Sequence, residues 1–402
     1  MAVMARPLVV LIPVLAFILL AGSPFLRLRL ANGDVDMLPP SAESRVALHT
    51  LTDRFPGQDQ NSFQIVIHYI NGADPLSADN ASALYDLSRK VAAIPGILHV
   101  VSVVDADPPL TKAQVLAALA NPASLPLAAQ AGIKQSIGTD IAVLGAYSAD
   151  AIGTDQAREE LKQIRAIAPP AGAELLVTGF TAYDVDAIDF ILGKTPAAVA
   201  FVVIATYVVL FLLLGSVVLP LKAVLMNFLS ISASFGALVW IFQDGHLASW
   251  LDFTPSSIDP TLPVIMFCIV FGLSMDYEVM LLTRIQEAYR KTGDNVSAVA
   301  EGLEKSGRII SGAAAIMIVV FLAFGLAQVL LIKAIGIGLA TAVFIDATLM
   351  RMLIVPSIMR LLGNLNWWAP HPLARLHSWL RLGDIEGNRS VAPLGRPEPE
   401  AG

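Results

Sequence analysis

Residues 263–282 read PVIMFCIVFGLSMDYEVMLL, an almost wholly apolar run with the length of a helix that crosses a bilayer. Asp276 lies inside this run. A carboxylate near the middle of a membrane helix is costly, so by default it marks an ion pathway, a proton relay or a buried counter-charge. Asp276 is therefore the first functional candidate in the chain.

The composition indicates that most of the chain lies in a membrane. Of 402 residues, 55% are hydrophobic and only 15% are charged, a balance that a soluble chain of this length does not need. The formal net charge of -7 argues against nucleic acid as a partner. The single cysteine, Cys268, excludes an internal disulfide and makes a cysteine-based metal cluster implausible, so no metal site is predicted.

A membrane-spanning helix needs roughly 20 predominantly apolar residues. Six stretches meet this requirement: 8–22, 196–219, 223–242, 263–282, 309–332 and 334–359. The first is the shortest, and Arg6 before it with Ala21-Gly22-Ser23 after it also fits a cleavable secretion signal, although an uncleaved anchor is preferred. The predicted divisions are a first transmembrane helix at 1–22, a soluble insertion at 23–195, a five-helix membrane bundle at 196–362, and a cytoplasmic, largely disordered tail at 363–402.

The short loops between these stretches differ in charge. Residues 243–262 contain no Lys or Arg, whereas residues 283–308 contain Arg284, Arg290, Lys291, Lys305 and Arg308. Because short loops rich in Lys and Arg stay in the cytoplasm, the second loop is predicted to be cytoplasmic. The same side then holds the other basic residues near the span ends: Arg6, Lys222, Arg360, Arg375 and Arg381. We expect a multi-pass protein of the cell (inner or plasma) membrane, with both termini cytoplasmic and the insertion outside.

The insertion at 23–195 is mixed and turn-rich in composition, as a soluble domain is. Alternating apolar positions predict strands at 61–70, 97–104, 137–148 and 173–178, and helical spacing predicts helices at 77–93 and 154–167. Two strand-helix-strand units predict an extracytoplasmic α+β domain of ferredoxin-like type, interrupted by a helical segment at 111–132. Asp184, Asp186 and Asp189 are expected to face solvent rather than to bind a metal.

Four segments carry a resemblance to a known family. They are LRLRLANGDVDMLPPSAESRVAL at 26–48, FGLSMDYEVMLLTRIQEAY at 271–289, EGLEKSGRIISGAAAIMIVVF at 301–321 and IGIGLATAVFIDATLMRMLIVPSIMRLLGNLNWWAP at 335–370. Together with the layout of one span, a large external domain and five spans, they resemble the C-terminal half of the MMPL (mycobacterial membrane protein large) family of resistance-nodulation-division (RND) transporters. The resemblance covers most of the chain, from about residue 6 to residue 370.

The resemblance implies proton-driven export of lipids or other hydrophobic molecules, with Asp276 and Tyr277 relaying the proton. It also implies a further relay or ion-pair role for Asp346, Arg351 and Ser311. The energy source would be the proton gradient and no cofactor, and no GxxxxGK[ST] sequence supports ATP hydrolysis. RND pumps usually contain two such halves, so the chain is expected to pair with a second six-helix half, either another copy or a separately encoded chain, unless it is a truncated product.

Structural roles remain open for the same residues. Asp276 could be permanently paired with Arg351 or hydrogen-bonded to Ser274 and Ser311, and Asp346 could form a fixed ion pair with Arg351. Small residues in the spans favour close helix packing, a role predicted for Gly272, Ser274, Gly312, Gly336 and Gly338.

Two other function classes fit some of these residues. Two intramembrane aspartates, Asp276 and Asp346, could share a proton as in an intramembrane aspartyl protease, but such proteases resemble one another in Tyr-Asp and Gly-x-Gly-Asp segments that are not matched at these positions. We therefore expect no enzyme activity. A non-transporting lipid-binding or scaffold subunit stays open. The sequence does not specify the identity of the substrate.

Glu278 lies on a different helix face from Asp276. It is expected near the headgroups or paired with a basic loop residue.

Overall fold

The computed structural model describes residues 2–55, 61–105 and 109–380. It divides into two compact units: a helical unit formed by Met1–Leu28, Thr195–Ser256 and Thr261–Gly402, and an α/β unit formed by Arg29–Lys194 and Ser257–Pro260. In the helical unit, a one-turn helix, Ala2–Ala5, precedes helix α1 (Pro7–Gly22). The predicted boundaries of the insertion omitted Ser257–Pro260, which join the α/β unit because Ile258 forms a parallel bridge with Leu30.

The described residues of the α/β unit form a four-stranded sheet and five α-helices that lie wholly within the unit. In chain order these are α2 (Glu43–Arg54), β1 (Asn61–Tyr69), α3 (Ala78–Ala92), β2 (Ile97–Val101), α4 (Lys112–Leu119), α5 (Leu127–Ser136), β3 (Ile141–Ser148), α6 (Asp155–Arg165) and β4 (Ala173–Thr178). The strand order is β2-β3-β1-β4, and every neighbouring pair is antiparallel. The predicted strands and the helices predicted at 77–93 and 154–167 agree with these elements to within a few residues at their ends. The helical segment predicted at 111–132 is instead two helices, α4 and α5, and α2 was not predicted.

One face of the sheet carries the core of the α/β unit. The alternation along β1 buries Phe63, Ile65, Ile67 and Tyr69 completely, and they join one apolar cluster with Leu84 of α3. Fully burying a side chain of this size stabilises a fold by about 1.5–3 kcal/mol. The period-two pattern of β1 therefore determines which face of the sheet the helices cover.

Helix α7 (Phe180–Leu214) starts in the α/β unit and continues into the helical unit. Asp184 on this helix is buried. Its carboxylate accepts a hydrogen bond from the backbone N–H of Asn32 at 2.7 Å and forms an ion pair with Arg158 of α6 at 3.2 Å. The expectation that it faces solvent is wrong, because the guanidinium of α6 supplies its counter-charge. Asp186 and Asp189 are exposed, as predicted.

Among its described residues, the helical unit contains six helices that are long and apolar enough to cross a membrane. After α1 and α7, these are α8 (Val218–Leu238, continued by a π-helical turn, Val239–Gln243), α9 (Thr261–Thr292), α10 (Asn295–Phe324) and α11 (Leu330–Ile345). The last span continues from α11 through a π-helical stretch, Asp346–Ile354, into α12 (Val355–Leu362). The chain then forms α13 (His371–Leu380).

Several predicted boundaries in this unit are wrong. The fifth span ends at Phe324 rather than 332, because Gly325 begins a tight apolar turn that hydropathy does not distinguish from helix. The second span ends at Leu214, because Gly215 adopts a φ of +65° that favours glycine. The tail predicted to be disordered is helical over His371–Leu380, and the rest of it, residues 381–402, lies outside the described residues.

Candidate functional site

A buried ion pair lies inside the helical unit. Arg351 donates to Asp346 Oδ2 from Nη2 at 2.7 Å and from Nε at 3.0 Å, and both side chains are nearly inaccessible. Charged groups in an apolar bundle are tolerated when they are paired and hydrogen-bonded. The alternative in which Arg351 is the partner of Asp276 is therefore wrong, since Asp346 takes that place.

The π-helical stretch Asp346–Ile354 explains how this pair forms. In an α-helix with 3.6 residues per turn, residues five positions apart lie on different sides. A π-helix bonds each residue to the one five positions away, so Asp346 and Arg351 come onto the same side. Their ion pair within one helix depends on this local departure from α geometry.

Two neighbouring helices complete the polar network around the pair. Ser274 of α9 lies with its hydroxyl 3.0 Å from Asp346 Oδ2 and 2.5 Å from Asn227 Oδ1 of α8, and its carbonyl accepts from Arg351 Nη2 at 2.6 Å. A hydroxyl has one proton and donates to one acceptor at a time. If the Asn227 amide turns its NH2 toward Ser274, the hydroxyl is free to donate to Asp346. Ser274, predicted as a packing residue, thus takes part in a hydrogen-bond network.

Tyr277 connects this network to the outer face of α9. The Arg351 guanidinium lies over the Tyr277 ring, 5.3 Å from its centroid, and the Tyr277 hydroxyl lies 2.7 Å from Met317 Sδ of α10. A cation above an aromatic face is attracted by the ring quadrupole. The Tyr277 ring is therefore held by the same guanidinium that holds Asp346.

Asp276 is the member of the predicted pair that the network does not include. Its side chain is exposed on the surface of the isolated chain, and within the part of the chain that the structure describes it forms no hydrogen bond or ion pair. It continues an exposed stripe of α9 with Cys268 and Gly272 at the spacing of successive helical turns. A carboxylate on an apolar surface of this kind calls for a partner that covers it.

A second buried charged pair joins α8 and α9. Lys222 Nζ of α8 is 3.8 Å from Glu278 Oε1 of α9, and both side chains are buried. The predicted topology leaves Lys222 between two spans. In the structure it lies in a helix, because α8 already begins at Val218. Glu278 thus pairs with a helical lysine rather than with a basic loop residue. Sequence reasoning missed the roles of Lys222 and Asn227, although a lysine and an asparagine beside an apolar span are the signals that identify them.

Five buried polar atoms around these two pairs form no hydrogen bond within the described residues: Lys222 Nζ, Asn227 Nδ2, Ser230 Oγ, Glu278 Oε1 and Arg351 Nη1. Buried polar atoms are normally satisfied by protein or by ordered water, so each one needs an explanation. They all lie on α8, on α9 or in the π-helical stretch. Ordered water is the usual partner of such buried polar groups.

The predicted packing residues occupy different surroundings. A Cβ added to Gly338 would lie 2.8 Å from Met266 Sδ, and one added to Gly336 would lie 2.6 Å from Phe321 O, so both positions allow close helix contact. An added Cβ at Gly272 or Gly312 would meet no atom within 4 Å, so neither packs against another helix of this chain.

Ser311 is half-buried on α10. No hydrogen bond joins it to Asp346, Arg351 or Ser274 among the described residues, so its place in a relay stays a prediction.

Comparison with known proteins gives one family and several relatives. The model of the MMPL family matches residues 36–392. The trehalose monomycolate exporter MmpL3 of Mycobacterium tuberculosis (strain CDC 1551 / Oshkosh) is 35% identical over 402 residues, which cover 98% of this chain and 40% of that protein. The putative membrane protein SCO6666 of Streptomyces coelicolor is 42% identical over 255 residues, covering 63% of this chain and 35% of that protein.

A third relative is the mycolic acid-containing lipids exporter MmpL11 of Mycolicibacterium smegmatis, 31% identical over 378 residues, which cover 93% of this chain and 36% of that protein. The chain thus spans about two fifths or less of the length of these relatives, although the matches to the two exporters extend over nearly all of the chain itself.

Proposed function

Because this chain belongs to the MMPL family, we propose that it takes part in proton-driven export of lipids or other hydrophobic molecules across the inner membrane. The relatives named as exporters of trehalose monomycolate and of mycolic acid-containing lipids support lipids as the substrate class. Six apolar helices make it a multi-pass membrane protein. The activity proposed is transport, and no catalytic role is proposed for Asp276 or Asp346.

One observation carries the proton-coupled part of the proposal: the uncompensated carboxylate of Asp276 lies next to Tyr277, whose ring rests on the Arg351 guanidinium. Protonation of Asp276 removes a negative charge beside this ring and alters the balance of charge around Arg351. Arg351 in turn holds Asp346 in the π-helical stretch of the last span. A change of protonation at Asp276 thereby biases the position of the last span relative to α9.

The energy available is adequate for such a bias. One proton that crosses a potential of 100 mV releases about 2.3 kcal/mol. Each pH unit of gradient adds about 1.4 kcal/mol. Together these exceed the energy of a single hydrogen bond to a charged group, such as that between Ser274 and Asp346, which is about 1.5–3 kcal/mol net. One proton is thus able to shift an equilibrium between two packings of the bundle.

The exposed stripe of Cys268, Gly272 and Asp276 supports a second six-helix half as the partner. Helix pairs in membranes use small residues for close approach, and an unpaired carboxylate that faces lipid is unfavourable until another helix covers it. We propose that this stripe meets the equivalent helix of a second half, either another copy of this chain or a different chain. A non-transporting lipid-binding subunit, or a truncated half, is the alternative that the experiments below distinguish.

The α/β unit is proposed to be an extracytoplasmic domain of ferredoxin-like type. The antiparallel order β2-β3-β1-β4, with a helix after β1 and another after β3, supports that type. The lack of Lys and Arg in 243–262, against the five basic residues in 283–308, supports an external position for this unit and cytoplasmic termini.

Gradient-driven efflux tests the proposal. The protein is reconstituted in liposomes with a lipophilic fluorescent substrate, and efflux under an imposed proton gradient is compared between wild type, Asp276→Asn and Asp189→Asn. The last variant is the matched control, because Asp189 is an exposed aspartate of the α/β unit. We expect efflux to be lost in Asp276→Asn and kept in the control. Equal efflux in Asp276→Asn and wild type would contradict the relay.

Cross-linking through the single cysteine identifies the partner. If two copies meet along the stripe, Cys268 of each copy lies near the shared axis, and a short bifunctional thiol reagent yields a covalent dimer in membranes. Cys268→Ser is the control. A folded wild type that neither cross-links nor transports would indicate a different partner chain or a non-transporting product.

A further inference from the structure

The connection between α8 and α9 is an ordered loop rather than a simple link. It contains a one-turn helix, Ala248–Leu251, flanked by two non-glycine residues with positive φ, Leu247 at 69° and Asp252 at 52°. Each such conformation costs about 1–3 kcal/mol and persists only where the surroundings impose it. The surroundings of this loop therefore need to supply compensating contacts.

Lys333 supplies the main compensating contact. This residue lies in the first turn of α11, is buried, and donates to the carbonyl of Asp252 at 3.1 Å and to that of Leu251 at a shorter distance. No carboxylate pairs with it among the described residues. A buried ammonium that binds only carbonyls at the end of a helical turn interacts with the negative end of that turn. Lys333 thus fixes the loop from below.

Other contacts hold the two ends of the loop. The ring of His246 stacks on Trp240, with centroids 4.4 Å apart, and its Nδ1 lies 2.8 Å from the Trp240 carbonyl. Phe253 packs on Phe242 at 5.0 Å. Asp244 forms an ion pair with Arg27 at 3.2 Å. These contacts fix both ends of the loop, although Asp244, His246, Ser249 and Asp252 stay exposed.

Two apolar side chains of the loop are exposed beside its polar ones, the mixture found at a membrane-water interface. Trp250 is 79% exposed and Leu247 is 45% exposed. At the same end of the bundle, in the turn between α10 and α11, Leu326 is 85% exposed. Exposing a tryptophan and two leucines at one end of the bundle is unfavourable in water.

We propose that the loop formed by residues 244–253 is an interfacial wedge that inserts Trp250 and Leu247 into the headgroup region of the bilayer leaflet at this end of the bundle, with Lys333 as its positioning residue. The occupant of this surface is lipid because the loop joins two membrane-spanning helices and therefore lies where headgroups surround the protein. Tryptophan suits this position, since its ring prefers the acyl boundary while its N–H stays near polar headgroups. The inference does not depend on transport, only on the membrane spans.

Tryptophan fluorescence in brominated lipids tests the wedge. The full-length protein is reconstituted in phosphatidylcholine and phosphatidylglycerol vesicles whose acyl chains carry bromine either near the headgroup or near the terminal methyl. The signal of Trp250 is the difference between wild type and Trp250→Phe. We expect this signal to be blue-shifted relative to tryptophan in water and quenched more strongly by bromine near the headgroup. Water-like emission without quenching, or stronger quenching by the deep bromine, would overturn the interfacial placement.

Two further variants keep the test decisive. Lys333→Met should weaken the preference for shallow quenching, because the turn loses its anchor, whereas Lys333→Arg should keep it; an unchanged preference in Lys333→Met would refute the positioning role. If Trp250→Phe fails to fold, a nitroxide on Ser249→Cys in a Cys268→Ser background reports the same position by its accessibility to oxygen and to a water-soluble nickel chelate. Greater accessibility to oxygen supports the wedge, and greater accessibility to nickel overturns it.

Discussion

The Asp346→Asn substitution removes the negative charge that faces Arg351 and keeps the volume of the side chain. In the wild type, Asp346 Oδ2 accepts two bonds from Arg351, at 2.7 and 3.0 Å, and lies 3.0 Å from the Ser274 hydroxyl. In the variant, a guanidinium with 3% of its side chain exposed stays in the bundle without a counter-charge. Breaking a buried ion pair by removing one partner costs about 3–5 kcal/mol.

The assay is the free energy of unfolding in mixed micelles, measured by denaturant titration. We expect Asp346→Asn to lose about 3–5 kcal/mol. The double variant Asp346→Asn with Arg351→Met should recover most of this loss, since the pair is then replaced by uncharged groups of similar volume. A single variant as stable as wild type would refute the reasoning, and so would a double variant no more stable than the single one.

Three further predictions concern other residues. Burial raises the pKa of Glu160 in the α/β unit. Its neutral form therefore contributes stability that is fully present below the unfolded pKa of about 4.3 and is lost as pH rises through the folded pKa. Thermal melts should show Glu160→Gln to be more stable than wild type at neutral pH, and this gain should shrink in acid. Gly336→Ala should destabilise by about 1–3 kcal/mol, because its Cβ would lie 2.6 Å from the Phe321 carbonyl oxygen. Gly272→Ala, in open space, should stabilise the isolated chain by about 0.5–1 kcal/mol through helix propensity; equal effects in the same denaturant titration would contradict the packing geometry. Tyr277→Phe keeps a ring under Arg351 and should unfold like wild type, yet lose gradient-driven efflux if the hydroxyl takes part in the relay; full efflux would exclude that role.

The sequence identified Asp276 because a carboxylate in an apolar run is unusual whatever surrounds it. It did not reveal which charges pair. Lys222 reads as the basic end of a span, and only the position of α8 against α9 shows it buried beside Glu278. Asp184 reads as one of three solvent-facing acids, and only the tertiary position of Arg158 explains its burial.

The sequence pattern also did not predict the local helix geometry of the last two spans. A period of 3.6 residues describes the last span as one α-helix, whereas the π-helical stretch at Asp346–Ile354 is what brings its aspartate and arginine together. The turn between Phe324 and Leu330 contains only one polar residue, Gln328, too few for hydropathy to end the fifth span there. The strands of the α/β unit were predicted well, because one buried face imposes a strict period of two.

The central claim is that Asp276 carries a proton in step with the export of a hydrophobic substrate. Its most direct test is substrate-dependent proton influx into proteoliposomes, recorded with an entrapped pH-sensitive dye in wild type and in Asp276→Asn under the same gradient. We predict influx that requires both the substrate and Asp276. Substrate-dependent influx that persists in Asp276→Asn would contradict the claim.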